Sequence, residues 1–127
     1  MSKKQLGDLQ LAIMRILWAR GEASASEVHQ ALWEERGLAP TTIATMLVKM
    51  EKKGVVTHRA EGRRYLYSPT VSEQEVTRSM VAQLAERLFE GDVPAFVSHL
   101  LSEHDIDPDE LAELEELIDA KREERTE

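Results

Sequence analysis

Thr41, Thr42, Thr45, Lys49 and Lys52 fall within one short stretch of the sequence, and His58, Arg59, Arg63 and Arg64 follow closely around Gly62. In that arrangement these residue types form no nucleophile and base pair. A threonine hydroxyl can hydrogen-bond a base edge while its methyl lies against thymine, and lysine and arginine place positive charge beside phosphates. The chemistry implied is recognition of a polyanion, and the mixture of hydroxyl, methyl and cation suits a helix lying in the major groove of a duplex.

Residues with that task need an element to aim them. At about 100° per residue, Ile43, Met46, Leu47 and Met50 fall on one side of a helix that starts at Pro40 and closes at Gly54. Thr41, Thr45, Val48, Lys49 and Lys52 fall on the opposite side, with Thr42 beside them. A solvated surface helix has a similar polar composition, so this helix alone does not decide the matter. The arginines after it do, because a turn through Ala60-Glu61-Gly62 would hold Arg59, Arg63 and Arg64 near the tip of a hairpin that can reach phosphates or a minor groove. His58 reads as a phosphate neighbour, and Tyr65 and Tyr67 as packing residues of the strands.

Two helices precede this segment. Leu9, Ala12, Ile13, Ile16 and Leu17 make one stripe between a cap at Asp8 and a stop at Gly21. Ser24 and Glu27 form a capping box ahead of Val28, Ala31 and Leu32, and Gly37 ends that helix. The β-branched and aromatic run Val55 to Tyr67 then predicts a two-stranded hairpin packed on the helices. Helix, helix, helix, hairpin is the order of a winged helix-turn-helix domain over residues 1–70.

Residues 71–127 read as a separate helical domain. A capping box at Ser72 and Glu75 opens a helix with Val76, Met80, Leu84 and Leu88 on one face. Gly91 to Pro94 breaks it and starts another with Phe96, Val97, Leu100 and Leu101, and a last helix from Asp107 carries Leu111, Leu114, Leu117 and Ile118. These faces are too apolar to stand in water, and a second copy of the chain would cover them most simply. Lys121 to Glu127 reads as a fraying charged tail. The fold class expected is mainly α with a small β-hairpin.

Charge divides the same way. The net charge of −8 resolves into +4 for residues 1–70 and −12 for residues 71–127, so the basic half is the candidate contact half. Several functions are disfavoured. There is no Cys, which removes disulfides, thiolate zinc sites and cysteine nucleophiles. The histidines at 29, 58, 99 and 104 lack metal-ligand spacing, so no metal or other cofactor is expected. No triad, phosphate-cradling glycine loop or catalytic carboxylate pair stands out, so an enzyme is not expected. With no apolar run long enough to span a bilayer and no apolar signal core at the start, the expectation is a cytoplasmic protein.

Leu6-Gly-Asp-Leu-Gln-Leu11, Ile16-Leu-Trp18, Ala39-Pro-Thr-Thr-Ile43, Lys52-Lys-Gly-Val-Val56, Glu61-Gly-Arg-Arg-Tyr65 and Tyr67-Ser-Pro69, in this order and spacing, resemble the BlaI/MecI penicillinase-repressor family. The resemblance extends through Leu117 and implies a homodimeric winged-helix repressor of transcription that occupies a palindromic operator. It also implies base contacts from Thr41, Thr42 and Thr45, although the first of these positions can be Lys in relatives. In the family, a sensor-activated protease cuts the dimerisation domain at an Asn-Phe pair; the corresponding pair here is His99-Leu100. Copper-responsive relatives use C-terminal cysteines, which are absent here. The alternative is a winged-helix module that binds protein, a role with no need for the basic, threonine-bearing face.

Overall fold

In the computed structural model, which describes residues 5–126, the first helix is α1, Asp8–Arg20. It starts one residue earlier than a cap at Asp8 requires: the Gly7 N–H donates to the Gln10 side chain at 3.2 Å, and Asp8 is already helical. Its carboxylate there favours the positive end of the helix dipole. Strand β1, Ala23–Ser24, follows. Two residues carry no alternation, so periodicity cannot announce this strand. Ser24 then caps α2, Ala25–Arg36: its hydroxyl accepts from the Glu27 N–H at 3.1 Å, and the Glu27 carboxylate accepts from the Ser24 N–H at 2.9 Å.

Helix α3, Pro40–Lys53, has Pro40 in its first turn, where no N–H is needed, and ends at Gly54 with φ 89°. Only glycine adopts that left-handed value cheaply. Strands β2, Val56–Glu61, and β3, Arg64–Pro69, form the wing. Its loop is Gly62-Arg63 rather than Ala60 to Gly62, because Glu61 still pairs with Arg64 and Gly62 takes φ 63°. Arg63 therefore moves from a strand to the tip. The hairpin is not alone: β1 joins the far side of β3, giving an antiparallel sheet in the order β1-β3-β2 with Ala23 opposite Tyr67 and Ser24 opposite Leu66.

Ile13, Met14, Leu17, Val28, Ile43, Leu47, Met50 and Val55 are fully enclosed. Burying each such side chain contributes about 1.5–3 kcal/mol. Ile43, Leu47 and Met50 together therefore fix the rotation of α3 about its axis and, with it, the face turned outward. Helix α4, Glu73–Phe89, opens with the Ser72–Glu75 box, whose two hydrogen bonds measure 3.0 and 3.1 Å. Its beginning belongs to this core. Trp18 donates from its indole to the Val71 carbonyl at 2.9 Å, and Gln5 donates to the Ser79 hydroxyl at 3.3 Å.

The chain divides after Gln83 into two compact units, not at the expected 70/71 boundary. Val71 and Val76 are buried in the first core and Met80 packs against it, so α4 begins as part of the winged-helix unit. The second unit holds the end of α4 with α5, Val93–Glu103, and α6, Pro108–Thr126. Asp92 caps α5, accepting from the Ala95 N–H at 3.0 Å, and Asp107 caps α6, accepting from the Glu110 N–H at 2.9 Å. Within this unit the Phe89 ring lies 5.1 Å from Phe96 and 5.9 Å from His99. Of the tail expected to fray, Lys121 to Glu127, residues 121–126 continue α6 and Glu127 lies outside the described residues. Helix α6 runs through Thr126, with ion pairs one turn apart at Lys121–Glu124 and Asp119–Arg122.

Candidate nucleic-acid interface

The burial of Ile43, Leu47 and Met50 leaves Thr41, Thr42, Thr45, Lys49 and Lys52 exposed on α3, as their spacing predicts. Ala44 and Val48 are exposed among them. Val48, 47% exposed, adds a branched apolar surface to a face otherwise made of hydroxyls and ammonium groups. Lys49 and Lys52 have no hydrogen-bonding or ionic partner among the described residues, so their charge is available to an incoming anion. Lys53 differs: its ammonium donates to the Gln5 carbonyl and, at 3.4 Å, to the Gln10 side chain, tying the end of α3 to the start of the chain.

The wing departs from the sequence expectation in one respect. Of its cations only Arg63, at the turn, lacks a protein partner among the described residues. Arg59 makes a two-pronged contact with Glu22, at 3.1 Å from Nε and 2.6 Å from Nη2, and a third bond to Glu61 at 3.2 Å. Arg64 donates to Glu61 at 3.1 Å and lies 3.7 Å from Glu27. His58, read as a phosphate neighbour, points its Nδ1 at both oxygens of Glu51, at 2.6 and 2.8 Å, which makes it the donor. Its ring packs at 4.3 Å on Tyr65.

Carboxylates thus occupy three of the expected phosphate contacts in the free chain. The hydrogen bond from Arg59 holds the Glu22 carboxyl below the usual carboxylate range and raises the guanidinium in return. Glu27 is lowered chiefly by the backbone N–H of Ser24. These side chains are one-third to just over one-half exposed, and such water-accessible pairs are individually weak and can be exchanged. Of the two tyrosines, Tyr67 is a core residue at 6% exposure, but Tyr65 is 53% exposed with its ring against His58. Their different surroundings follow from β3 pairing on both edges while its outer end projects into the wing.

The residues expected at a dimer seam separate into two groups. Val76, 1% exposed, is covered inside the first unit, and Met80, half-buried, packs against the same core. Leu84, Leu88, Val97, Leu100, Leu101, Leu111, Leu114, Leu117 and Ile118 are all exposed, and Phe96 is half-buried against Phe89. His99 and Leu100 lie inside α5 and are exposed. No cluster of His, Asp and Glu able to hold a metal occurs among the described residues, and no described helix is long and apolar enough to cross a membrane.

The glutamates that hold the wing, Glu22, Glu27, Glu51 and Glu61, were not legible as a group. Glu61 could have been found as the cross-strand neighbour of Arg64, but Glu22 approaches Arg59 only through the fold.

Comparison with known proteins gives these observations a context. The pattern that defines the penicillinase repressor family matches residues 6–120. The penicillinase repressor of Bacillus licheniformis is 27% identical over 115 residues, covering 91% of this chain and 90% of that protein. The transcriptional regulator BlaI of Mycobacterium tuberculosis is 35% identical over 99 residues, covering 76% of this chain and 72% of its own length. Among solved structures, the DNA-binding domain of the repressor BlaI superposes with a TM-score of 0.52 at 33% identity, covering 57% of this chain and 88% of that one.

Proposed function

The chain belongs to the penicillinase repressor family, and from that premise we propose that it is a homodimeric winged-helix repressor that occupies a palindromic operator and blocks transcription. One observation carries the reading: the core locks α3 so that Thr41, Thr42, Thr45, Lys49 and Lys52 all face outward together. Thr41, Thr42 and Thr45 read base edges, with Val48 available to thymine methyls. Lys49, Lys52 and Arg63 hold phosphates from the outset, and Arg59 and Arg64 join them by leaving their glutamates. This role places the protein in the cytoplasm, where its DNA is.

A two-fold dimer sets two such helices into successive major grooves on one side of the duplex. Its seam is the exposed apolar set of the second unit, from Leu84 to Ile118. Linking the two heads makes the second half-site an intramolecular event, so two modest contacts give one firm one. Relief of repression by a sensor-activated protease at His99-Leu100 requires α5 to open locally first, since that bond lies within a regular helix.

Titration of the full chain against labelled duplexes enriched from a random pool tests the reading, with scrambled duplexes of equal length as the reference. Saturable preference for the enriched sequence, weakening steeply as salt rises, is expected. Equal binding to both duplexes, or none, overturns it and favours a protein-binding module. Sedimentation should show a dimer that Leu117→Asp converts to monomers.

A further inference from the structure

We propose that the second unit folds only as it dimerises, so that a single chain is a folded winged helix followed by melted α5 and α6. The inference rests on the dimer reading and adds how the seam forms.

Burial differs sharply across the boundary between the units. Every buried residue among those described lies before residue 84. Of the fourteen large apolar side chains left exposed, ten belong to the second unit, from Leu114 at 36% to Leu88 at 67%. Phe89 and Phe96, whose rings meet at 5.1 Å, remain partly exposed, as does Ile106. Ordering residues 84–126 costs conformational entropy that burial must offset, and a unit with no buried side chain has little to offset it.

The helices themselves do not supply the difference. Helix α5 has 11 residues, and isolated helices shorter than about 12–15 residues are marginal in water. In α6 the like charges of Asp109 and Glu113 stand one turn apart, as do those of Glu115 and Asp119. Its two ion pairs, Lys121–Glu124 and Asp119–Arg122, are largely exposed and weak. The turn into α5 adds a further cost, because Glu90 takes φ 50°, a left-handed value that such a residue holds only where packing imposes it.

A second copy is the cover that fits. The uncovered positions lie on three successive helices, so the missing surface is as large as the unit itself, and a two-fold pairing presents each copy with the same three faces. An interface of that kind is a core divided between two chains, and folding and association become one equilibrium. Opening of α5 at His99-Leu100 is then the same event as dissociation of the dimer.

Far-UV circular dichroism and sedimentation of the full chain, followed together over a dilution series, test the coupling. Helices α5 and α6 hold 11 and 19 of the helical residues, so roughly a third of the helical signal should disappear as dimer gives way to monomer, with the same midpoint. Emission from Trp18 and Trp33, both in the first unit, should stay constant. Hydrogen exchange gives a check that needs no populated monomer: amides of α5 and α6 should exchange more slowly as protein concentration rises, and those of α1 and α3 at an unchanged rate. Leu117→Asp should show the lowered helical signal at every concentration with wild-type tryptophan emission. A monomer that keeps its full helical signal, or exchange in α5 and α6 that ignores concentration, overturns the coupling and leaves the dimer standing. A wild-type chain that sediments as a monomer at every concentration overturns the dimer reading as well.

Discussion

Val76→Ala separates the two roles this residue could have. The side chain is 1% exposed and packs in the core of the first unit, so truncation deletes two buried methyl groups. At about 0.8 kcal/mol per group the transfer loss is about 1.6 kcal/mol, and an incompletely collapsed cavity adds roughly another 1 kcal/mol. Alanine's better helix propensity returns about 0.5 kcal/mol, leaving a net loss of about 2 kcal/mol. For a unit of this size that corresponds to a fall in Tm of roughly 8–16 °C. The Trp18 indole, hydrogen-bonded to the Val71 carbonyl, supplies a local fluorescence signal for the same unit. Melts followed by that emission should shift by this amount, while sedimentation at low temperature still shows the wild-type dimer. A dimer weakened by Val76→Ala with an unmoved Trp18 transition would refute the argument and return Val76 to the seam. As a companion test, a chain ending at residue 83 should fold and one ending at residue 70 should not, because the latter loses Val71, Val76 and Met80.

Three further outcomes are expected. Thr45→Ala should reduce discrimination between enriched and scrambled duplex by about 1–3 kcal/mol while leaving nonspecific binding nearly intact, as measured by paired titrations. Arg63→Ala should weaken both duplexes equally and flatten the plot of log affinity against log salt, whereas Arg59→Ala, whose guanidinium already has Glu22, should flatten it less. Glu22 and Glu27 have folded-state pKa values below the ordinary one, so the stability they contribute is present above about pH 4.3 and is lost as pH falls through the folded values. Acid unfolding of Glu22→Gln should therefore be less steep than that of wild type.

The order of helices and hairpin, the two faces of α3 and the two reciprocal caps, Ser24–Glu27 and Ser72–Glu75, were legible because each is a local pattern: a helical period, a serine three residues before a glutamate, a glycine where a helix stops. Strand β1 was not, since a two-residue strand exists only through its partner β3. The division after Gln83 is not legible in the sequence, because Val76, Met80, Leu84 and Leu88 form one continuous stripe, and a stripe does not say where its covering surface changes. The same limit applies to the wing. Arg59 and Arg64 look free in a linear reading, and Glu22 meets Arg59 only once α1, β1 and the hairpin have packed.

Because Arg59 and Arg64 meet glutamates before they meet a phosphate, the wing approaches any random stretch of DNA with much of its charge already matched. A chromosome offers on the order of a million or more competing sites, so a repressor whose cations were all unopposed would spend most of its copies on the wrong sequences. Internal pairing lowers that background at every one of those sites. On the proposed reading, the threonines of α3 would supply at the operator the extra binding that draws the arginines across, so Glu22, Glu27 and Glu61 would favour fast departure from wrong sites over tight holding everywhere.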